Sequence, residues 1–181
     1  MSNTGNWMHL DELENSIDNL ERCAQFLAEI AHPTRWKWSI IALHQALYGF
    51  AICAIRGTSS SSVLRNPEKW DSQLIAIWTA LDRAKLPDHL WPGAHPLVVS
   101  ADEKQALDRL VSEFRNQFEH FGAVAWSIEV SGMPELFGHT LRVLRHLACN
   151  SGSVRYYEDV QEDRVIAALG RIDELLRGTA A

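Results

Sequence analysis

The chain has 181 residues, of which 46% are hydrophobic and 22% are charged, and its formal net charge at pH 7 is −6. This length and composition predict one globular domain over residues 1–181, with enough apolar side chains for a sizeable core. The acidic balance argues against a broad basic surface that coats nucleic acid, so an RNA site here would have to be a local basic cleft.

The N-terminal segment contains no apolar run of the kind that forms a secretory signal, so we expect a cytoplasmic protein. Apolar residues then recur at spacings of three and four between Leu10 and Ile30. This periodicity predicts a first helix over 8–31. The His-Pro-Thr sequence at 32–34 ends that helix and can open the next one.

A second helix is predicted over 33–56, and it is apolar nearly all round. Such a helix should be the most buried one in the domain. Its apolar run is shorter than a membrane span and contains polar side chains, so we expect no membrane insertion. Two of these side chains, His44 and Tyr48, lie four residues apart on one face. They form either a buried hydrogen-bonded pair or a support for a functional cleft.

Polar residues and helix breakers divide the middle of the chain. A Gly-Thr-Ser-Ser-Ser-Ser loop occupies 57–62, and a short helix is predicted over 69–85. Three prolines and a glycine between 86 and 99 exclude regular structure there, and this long connection could act as a lid or a dimer contact. Residues 123–132 alternate as a strand would, yet no partner strand follows them.

The next helix, predicted over 101–121, begins at a capping-box sequence formed by Ser100 and Glu103. Two further helices are predicted over 134–149 and 159–177. Together these segments predict an all-α chain. The expected architecture is an antiparallel four-helix bundle with a short inserted helix and a long loop before the 101–121 helix.

Arg115, Asn116 and His120 stand in the second half of the 101–121 helix. With about 100° per residue, Asn116 and His120 fall roughly 180° to 220° from Leu107, which begins the apolar stripe of that helix. They should therefore face water or a second molecule. A fixed cation beside an imidazole that titrates near neutral pH suits phosphodiester cleavage. The alternative interpretation is an ordinary solvated helix face.

The pattern Arg115-Asn116-x-x-x-His120 on a late helix of an all-helical chain resembles the motif of the HEPN superfamily (higher eukaryotes and prokaryotes nucleotide-binding). The resemblance covers the motif closely and the rest of the chain only as a helical pattern. It implies a metal-independent endoribonuclease that works as a homodimer, with the motif lining a cleft between subunits. Other members have lost this activity and bind a nucleotide or RNA instead.

The same resemblance implies a toxin–antitoxin or defence setting, with an antitoxin as a partner. Members that a nucleotidyltransferase antitoxin silences often carry Tyr two residues after the motif His. Here Phe121 and Gly122 follow His120, so that modification is not expected.

In the ribonuclease hypothesis, His120 acts as general base or acid around the ribose 2′-OH and the leaving 5′-oxygen. Arg115 holds the phosphate, and Asn116 orients His120 or bonds the phosphate. Arg142 and Arg145 could bind the RNA backbone, although a solvated face is the alternative for them. The competing hypotheses are a non-catalytic nucleotide- or RNA-binding module and a purely structural interaction protein.

No cofactor or metal site is expected. The cysteines Cys23, Cys53 and Cys149 are odd in number and far apart, which favours core thiols over a zinc site or a disulfide framework. His139 and His146 are two helical turns apart, with no carboxylate or cysteine at metal-ligand spacing beside them.

Overall fold

The computed structural model describes residues 10–57, 59–69, 71–119 and 125–179. Within these ranges the protein is all-helical and forms no strand, which confirms that the chain is all-α. One isolated antiparallel bridge joins Leu64 and Leu74. The α-helices are α1 (Glu12–Ala28), α2 (Arg35–Arg56), α3 (Ile77–Ala84), α4 (Ala101–Asp108), α5 (Asn116–Glu119), α6 (Met133–Arg145) and α7 (Asp159–Thr179).

Helix α1 begins where Asp11 caps it, because the Asp11 side chain accepts a hydrogen bond of 2.8 Å from the backbone N–H of Glu14. Its apolar face is buried against α2, with which it makes the most extensive helix–helix contact, and against α7. Helix α1 is shorter at both ends than the predicted 8–31 helix.

Helix α2 is the centre of the domain. It contacts α1, α3, α6 and the later helical segments, and Ile40, Leu43, Leu47 and Phe50 on it are fully buried. Length and composition alone would let α2 cross a membrane, but 67% of its most apolar window is buried inside the protein. The all-round apolar sequence of this helix therefore reflects a core position.

The helix that carries the predicted motif has three parts, which we call together the motif helix. Helix α4 passes directly into a π-helix, π1 (Arg109–Arg115), which passes into α5. The predicted capping box is confirmed: Ser100 Oγ accepts from the N–H of Glu103 at 3.2 Å, and a Glu103 carboxylate oxygen accepts from the N–H of Ser100 at 2.8 Å. A second π-helix, π2 (His146–Asn150), extends α6.

The first half of the predicted 69–85 helix is wrong. The chain there pairs locally instead, since the N–H of Arg65 donates to the carbonyl of Gln73 at 2.8 Å and the N–H of Ile75 donates to that of Val63 at 2.9 Å. Helix α3 begins only at Ile77. These backbone bonds take the place of the first helical turns.

The connection before the motif helix contains a short 3₁₀ turn at Pro87–His89 and is otherwise irregular, as its prolines predicted. It is fastened to the helices by backbone hydrogen bonds. The N–H of His95 donates to the carbonyl of Ser151 at 2.8 Å, and the N–H of Leu97 donates to that of Ala84 at 2.9 Å. Residues 125–130 are also irregular.

Candidate functional site

Arg115 lies at the last position of π1, and its side chain is half-buried. Its Nη1 donates a hydrogen bond of 3.0 Å to Oδ1 of Asn116. The Asn116 amide is held in turn, because its Nδ2 donates to the carbonyl of Ser112 at 3.2 Å. The amide therefore connects the guanidinium to the backbone of π1 and restrains it.

The positive charge of Arg115 acts on His44 of α2. His44 is only 5% exposed, and burial lowers the pKa of its imidazole to about 4, with a further contribution from the nearby Arg115 charge. At neutral pH the imidazole is therefore uncharged. Among the described residues its Nδ1 makes no hydrogen bond. The guanidinium thus lies close to the central helix as well as to Asn116.

Of the two interpretations of His44 and Tyr48, the hydrogen bond between them does not form. The Tyr48 hydroxyl donates instead to the carbonyl of Ile75 at 2.6 Å, which fastens α2 to the segment before α3. His44 lies near enough to Arg115 for that charge to affect its pKa, whereas the Tyr48 hydroxyl is bound to the segment before α3.

The π1 helix interrupts the regular turn of the motif helix between α4 and α5. A π-helix closes i→i+5 rather than i→i+4 hydrogen bonds, so side chains that follow it are displaced around the axis relative to an uninterrupted α-helix. Asn116 remains exposed, as expected, whereas Arg115 is half-buried. A projection at about 100° per residue gives the same division, since it puts Arg115 roughly 80° and Asn116 roughly 180° from Leu107.

An aromatic cluster forms the inner side of the motif helix. The ring of Trp126 lies 6.1 Å from that of Phe114 and 5.3 Å from that of Phe118, centroid to centroid. The guanidinium of Arg109 covers Phe114 at 5.1 Å. The segment that returns from the motif is therefore packed against the helix that carries it. Trp126 itself remains 41% exposed.

His120, the third residue of the predicted motif, lies outside the described residues. Its place in the site rests on the sequence alone.

Arg142 and Arg145 lie on α6 and form ion pairs within the chain. Nε of Arg142 donates to Glu103 at 3.1 Å, and Nη2 of Arg145 donates to Asp173 at 2.7 Å. Burial alone would raise the pKa of the Glu103 carboxyl, but hydrogen bonds from Ser100 and Arg142 outweigh it and lower that pKa.

The position of Arg142 separates it from the motif. Its partner Glu103 precedes Arg115 by 12 residues on the motif helix, a distance of roughly 18 Å at the rise of an α-helix. Within one chain, Arg142 therefore contacts the start of the motif helix, whereas Arg115 lies in its second half.

The described side chains that were considered as metal ligands do not lie together. Among the described residues, no three histidine, cysteine or acidic side chains form a group suited to a metal ion. His139 contacts Arg142 through Nδ1, and Nε2 of His146 contacts the carbonyl of His95 at 3.1 Å. Burial raises the pKa of each of the three thiols, that of Cys53 to about 12.

Comparisons with protein-family models, with curated proteins and with solved structures find no match to this chain.

Proposed function

We propose that the protein is a metal-independent endoribonuclease whose active site contains Arg115, Asn116 and His120. The observation that carries the proposal is the hydrogen bond of 3.0 Å from Arg115 to Asn116 at the end of π1. An amide that holds a guanidinium in place supports a pre-organised phosphate site, since it limits the reorganisation needed when charge develops on the phosphate.

In the proposed reaction the ribose 2′-oxygen attacks the adjacent phosphorus, and the bond from phosphorus to the 5′-oxygen breaks. His120 takes the proton from the 2′-OH as general base or gives one to the leaving 5′-oxygen as general acid. Arg115 stabilises the negative charge on the phosphate oxygens. The products are a 2′,3′-cyclic phosphate and a 5′-OH end, and DNA is not a substrate because it lacks the attacking hydroxyl.

A homodimer fits this chemistry, because one step needs a base and the other needs an acid. A two-fold axis beside the motif would bring two copies of His120 together. Trp126 and Val130, which are 41% and 45% exposed, offer apolar surface after the motif helix for such a contact. For the helices we propose an antiparallel four-helix bundle of α1, α2, the motif helix and α6, with α7 packed on α1 and α6.

The test is incubation of the purified protein with total RNA in EDTA. The double variant Arg115→Ala/His120→Ala should lose cleavage, whereas Arg171→Ala/His32→Ala, which changes two exposed residues of the same types, should keep it. Cyclic-phosphate ends should appear with the wild type and the control. Equal cleavage by the motif variant would assign the activity to another site and overturn the proposal.

A second candidate function is a binding module that uses the same residues without turnover. The observation that favours it is the pairing of Arg142 and Arg145 with carboxylates, which leaves less positive charge for an RNA backbone. Saturable binding of RNA by a folded protein that leaves the RNA intact, and loss of that binding in Arg115→Ala, would select this function.

A further inference from the structure

A second concave site lies at the C-terminal end of α2. A pocket of about 300 Å³ opens there between the helices and two irregular segments; it is lined by Leu13, Cys53, Arg56, Gly57, Trp91, Arg155 and Tyr157. Arg56 follows His44 by 12 residues along α2, which is roughly 18 Å. The pocket is therefore separate from Arg115, and its volume is at the lower end for small-molecule sites.

The walls of this pocket are held in place by Ser153, which is fully buried. Its Oγ donates to the carbonyl of Ala54 on α2 at 2.6 Å and accepts from the N–H of Trp91 at 3.2 Å. One hydroxyl thus joins α2, the Trp91 segment and the segment before α7. Next to it, the N–H of Tyr157 donates to Oε1 of Gln161 at 2.9 Å. The pocket is preformed by these bonds.

The pocket carries two guanidinium groups. Arg155 is exposed and lies over the ring of Trp91 at 4.6 Å, and it forms none of the ion pairs found among the described residues. Arg56 is paired with Glu12 at 2.8 Å through Nη1, while its Nε and Nη2 make no hydrogen bond to a described residue. These groups can still donate to an anion in the fork geometry that suits phosphate.

Two carboxylates at the start of α1 lie near the pocket, and each is held by another group. Glu12 pairs with Arg56, and Asp11 caps α1. Burial raises the pKa of the Cys53 thiol to about 12, so Cys53 adds no negative charge at neutral pH. Arg56 thus shares its charge with Glu12, whereas Arg155 forms no ion pair with a described residue.

Aromatic surface lies beside this charge. Tyr157 is 70% exposed although its backbone is fixed, so one face of its ring is open to a planar ligand. One face of Trp91 is covered by the Arg155 guanidinium, which holds that cation at the pocket. An exposed ring next to two cations matches a molecule with a flat aromatic part and a phosphate.

We propose that this pocket binds a small aromatic monophosphate of the size and chemistry of a nucleoside 5′-monophosphate. The phosphate lies between Arg155 and Arg56, and the base stacks on Tyr157. This inference does not depend on the ribonuclease proposal, because none of these residues belongs to the motif helix.

The experiment is isothermal titration calorimetry of the whole chain with 5′-AMP at low salt, where charge–phosphate contacts are least screened. Adenosine and inorganic phosphate are titrated in parallel. The variants are Arg155→Gln, Tyr157→Ala and Tyr157→Phe, with Arg22→Gln as the matched control, since Arg22 is an exposed arginine of α1 that does not line the pocket. Circular dichroism checks that each variant is folded.

We expect 5′-AMP to bind and Arg155→Gln to weaken it by about tenfold or more, the size of a charge-assisted contact. Tyr157→Ala should weaken binding, whereas Tyr157→Phe, which keeps the ring, and Arg22→Gln should not. Adenosine and phosphate alone should each bind more weakly than 5′-AMP.

The proposal is overturned if folded wild type gives no binding heat at millimolar 5′-AMP, or if Arg155→Gln binds as tightly as wild type. Equal affinity for adenosine and 5′-AMP would also overturn it. The double variant Arg115→Ala/His120→Ala should bind 5′-AMP as wild type does. This result would test the pocket independently of the ribonuclease proposal.

Discussion

The guanidinium of Arg115 stands close enough to the buried imidazole of His44 to lower its pKa further than burial does alone. This relationship joins the motif helix to the central helix α2. It places a fixed cation beside a histidine that is neutral at physiological pH, so protonating His44 would put two positive charges together in a site with little water.

The depressed pKa of His44 predicts a stability that depends on pH. Burial and the Arg115 charge hold this pKa at about 4 in the folded protein, against 6.5 for the ordinary group. Between these values the unfolded chain binds more protons, so the free energy of unfolding falls as the pH drops from 6.5 towards 4. We expect this residue to contribute up to roughly 3 kcal/mol of that fall.

Urea unfolding of wild type and His44→Leu at several pH values measures the contribution. The variant should lose less stability than wild type between pH 6.5 and pH 4. Parallel curves for the two proteins would contradict the prediction. Arg115→Gln supplies a second readout by NMR titration, in which the His44 pKa should rise yet remain below 6.5 because burial persists.

Close packing of α1 on α2 depends on a glycine. A Cβ atom at Gly49 would lie 2.0 Å from Oγ of Ser16 and 3.0 Å from its Cβ. That Oγ is also held, since it donates to the carbonyl of Glu12 at 2.5 Å. We expect Gly49→Ala to destabilise the protein by about 1–3 kcal/mol in urea unfolding, the usual cost of overpacking.

The matched control is Gly170→Ala on α7, where an added Cβ meets nothing within 4 Å. This variant should gain about 0.5–1 kcal/mol, because alanine favours a helix over glycine. Combining Gly49→Ala with Ser16→Ala removes the clashing Oγ and should recover much of the loss. If Gly49→Ala were as stable as Gly170→Ala, the contact between α1 and α2 would be able to accommodate the added Cβ without cost, which would contradict the prediction.

Local patterns in the sequence were enough to predict that the chain is all-α and where several of its helices begin or end. The capping box at Ser100 and Glu103 forms as predicted because its two bonds involve neighbouring residues only. The burial of α2 follows from its all-round apolar sequence. Both features depend on residues close together in the chain.

Features set by contacts distant in sequence were not predictable in this way. The residues before Ile77 pair with Val63 and Arg65 rather than form a helix, a choice made by backbone bonds across a turn. The π1 helix carries no signal in hydrophobic periodicity, because one added residue per turn alters the face without altering composition. The proximity of Arg115 to His44, which lie on different helices, likewise appears only in the structure.

The hydrogen bond from Arg115 to Asn116 predicts an effect on the proposed ribonuclease activity. Asn116→Ala removes the acceptor at 3.0 Å and the donor to Ser112, so the guanidinium loses one of the contacts that hold it. We expect the rate of single-turnover RNA cleavage to fall by about tenfold. Gln117→Ala, an exposed neighbour on the same helix, is the control and should cleave normally. Similar rates for the two variants would remove Asn116 from the site.

Arg164 of α7 joins its helix to α1 through two carboxylates. Its Nε and Nη2 each donate to Glu21 at 2.8 Å, and its Nη1 donates to Glu14 at 3.0 Å. All three side chains are about one-third exposed, so solvent screens the pairs in part. We expect Arg164→Ala to lower the free energy of unfolding by about 1 kcal/mol, and Arg164→Lys to restore little because an ammonium lacks the fork.

The control for Arg164 is Arg22→Ala, which breaks a solvent-exposed pair with Asp18 on α1 and should change stability by less than about 0.5 kcal/mol.

The stabilisation by the Arg164 ion pairs should depend on pH, and the sign of this dependence is defined. Hydrogen bonds from Gln161 and Arg164 lower the pKa of Glu14, so its share of the stability is present above pH 4.5 and is lost as acid protonates the carboxylate. The difference between Arg164→Ala and wild type should therefore shrink in acid and at high salt, as thermal unfolding across both conditions would measure. A difference that stays constant would mean that Arg164 stabilises the α1–α7 contact through packing of its side chain rather than through its charge.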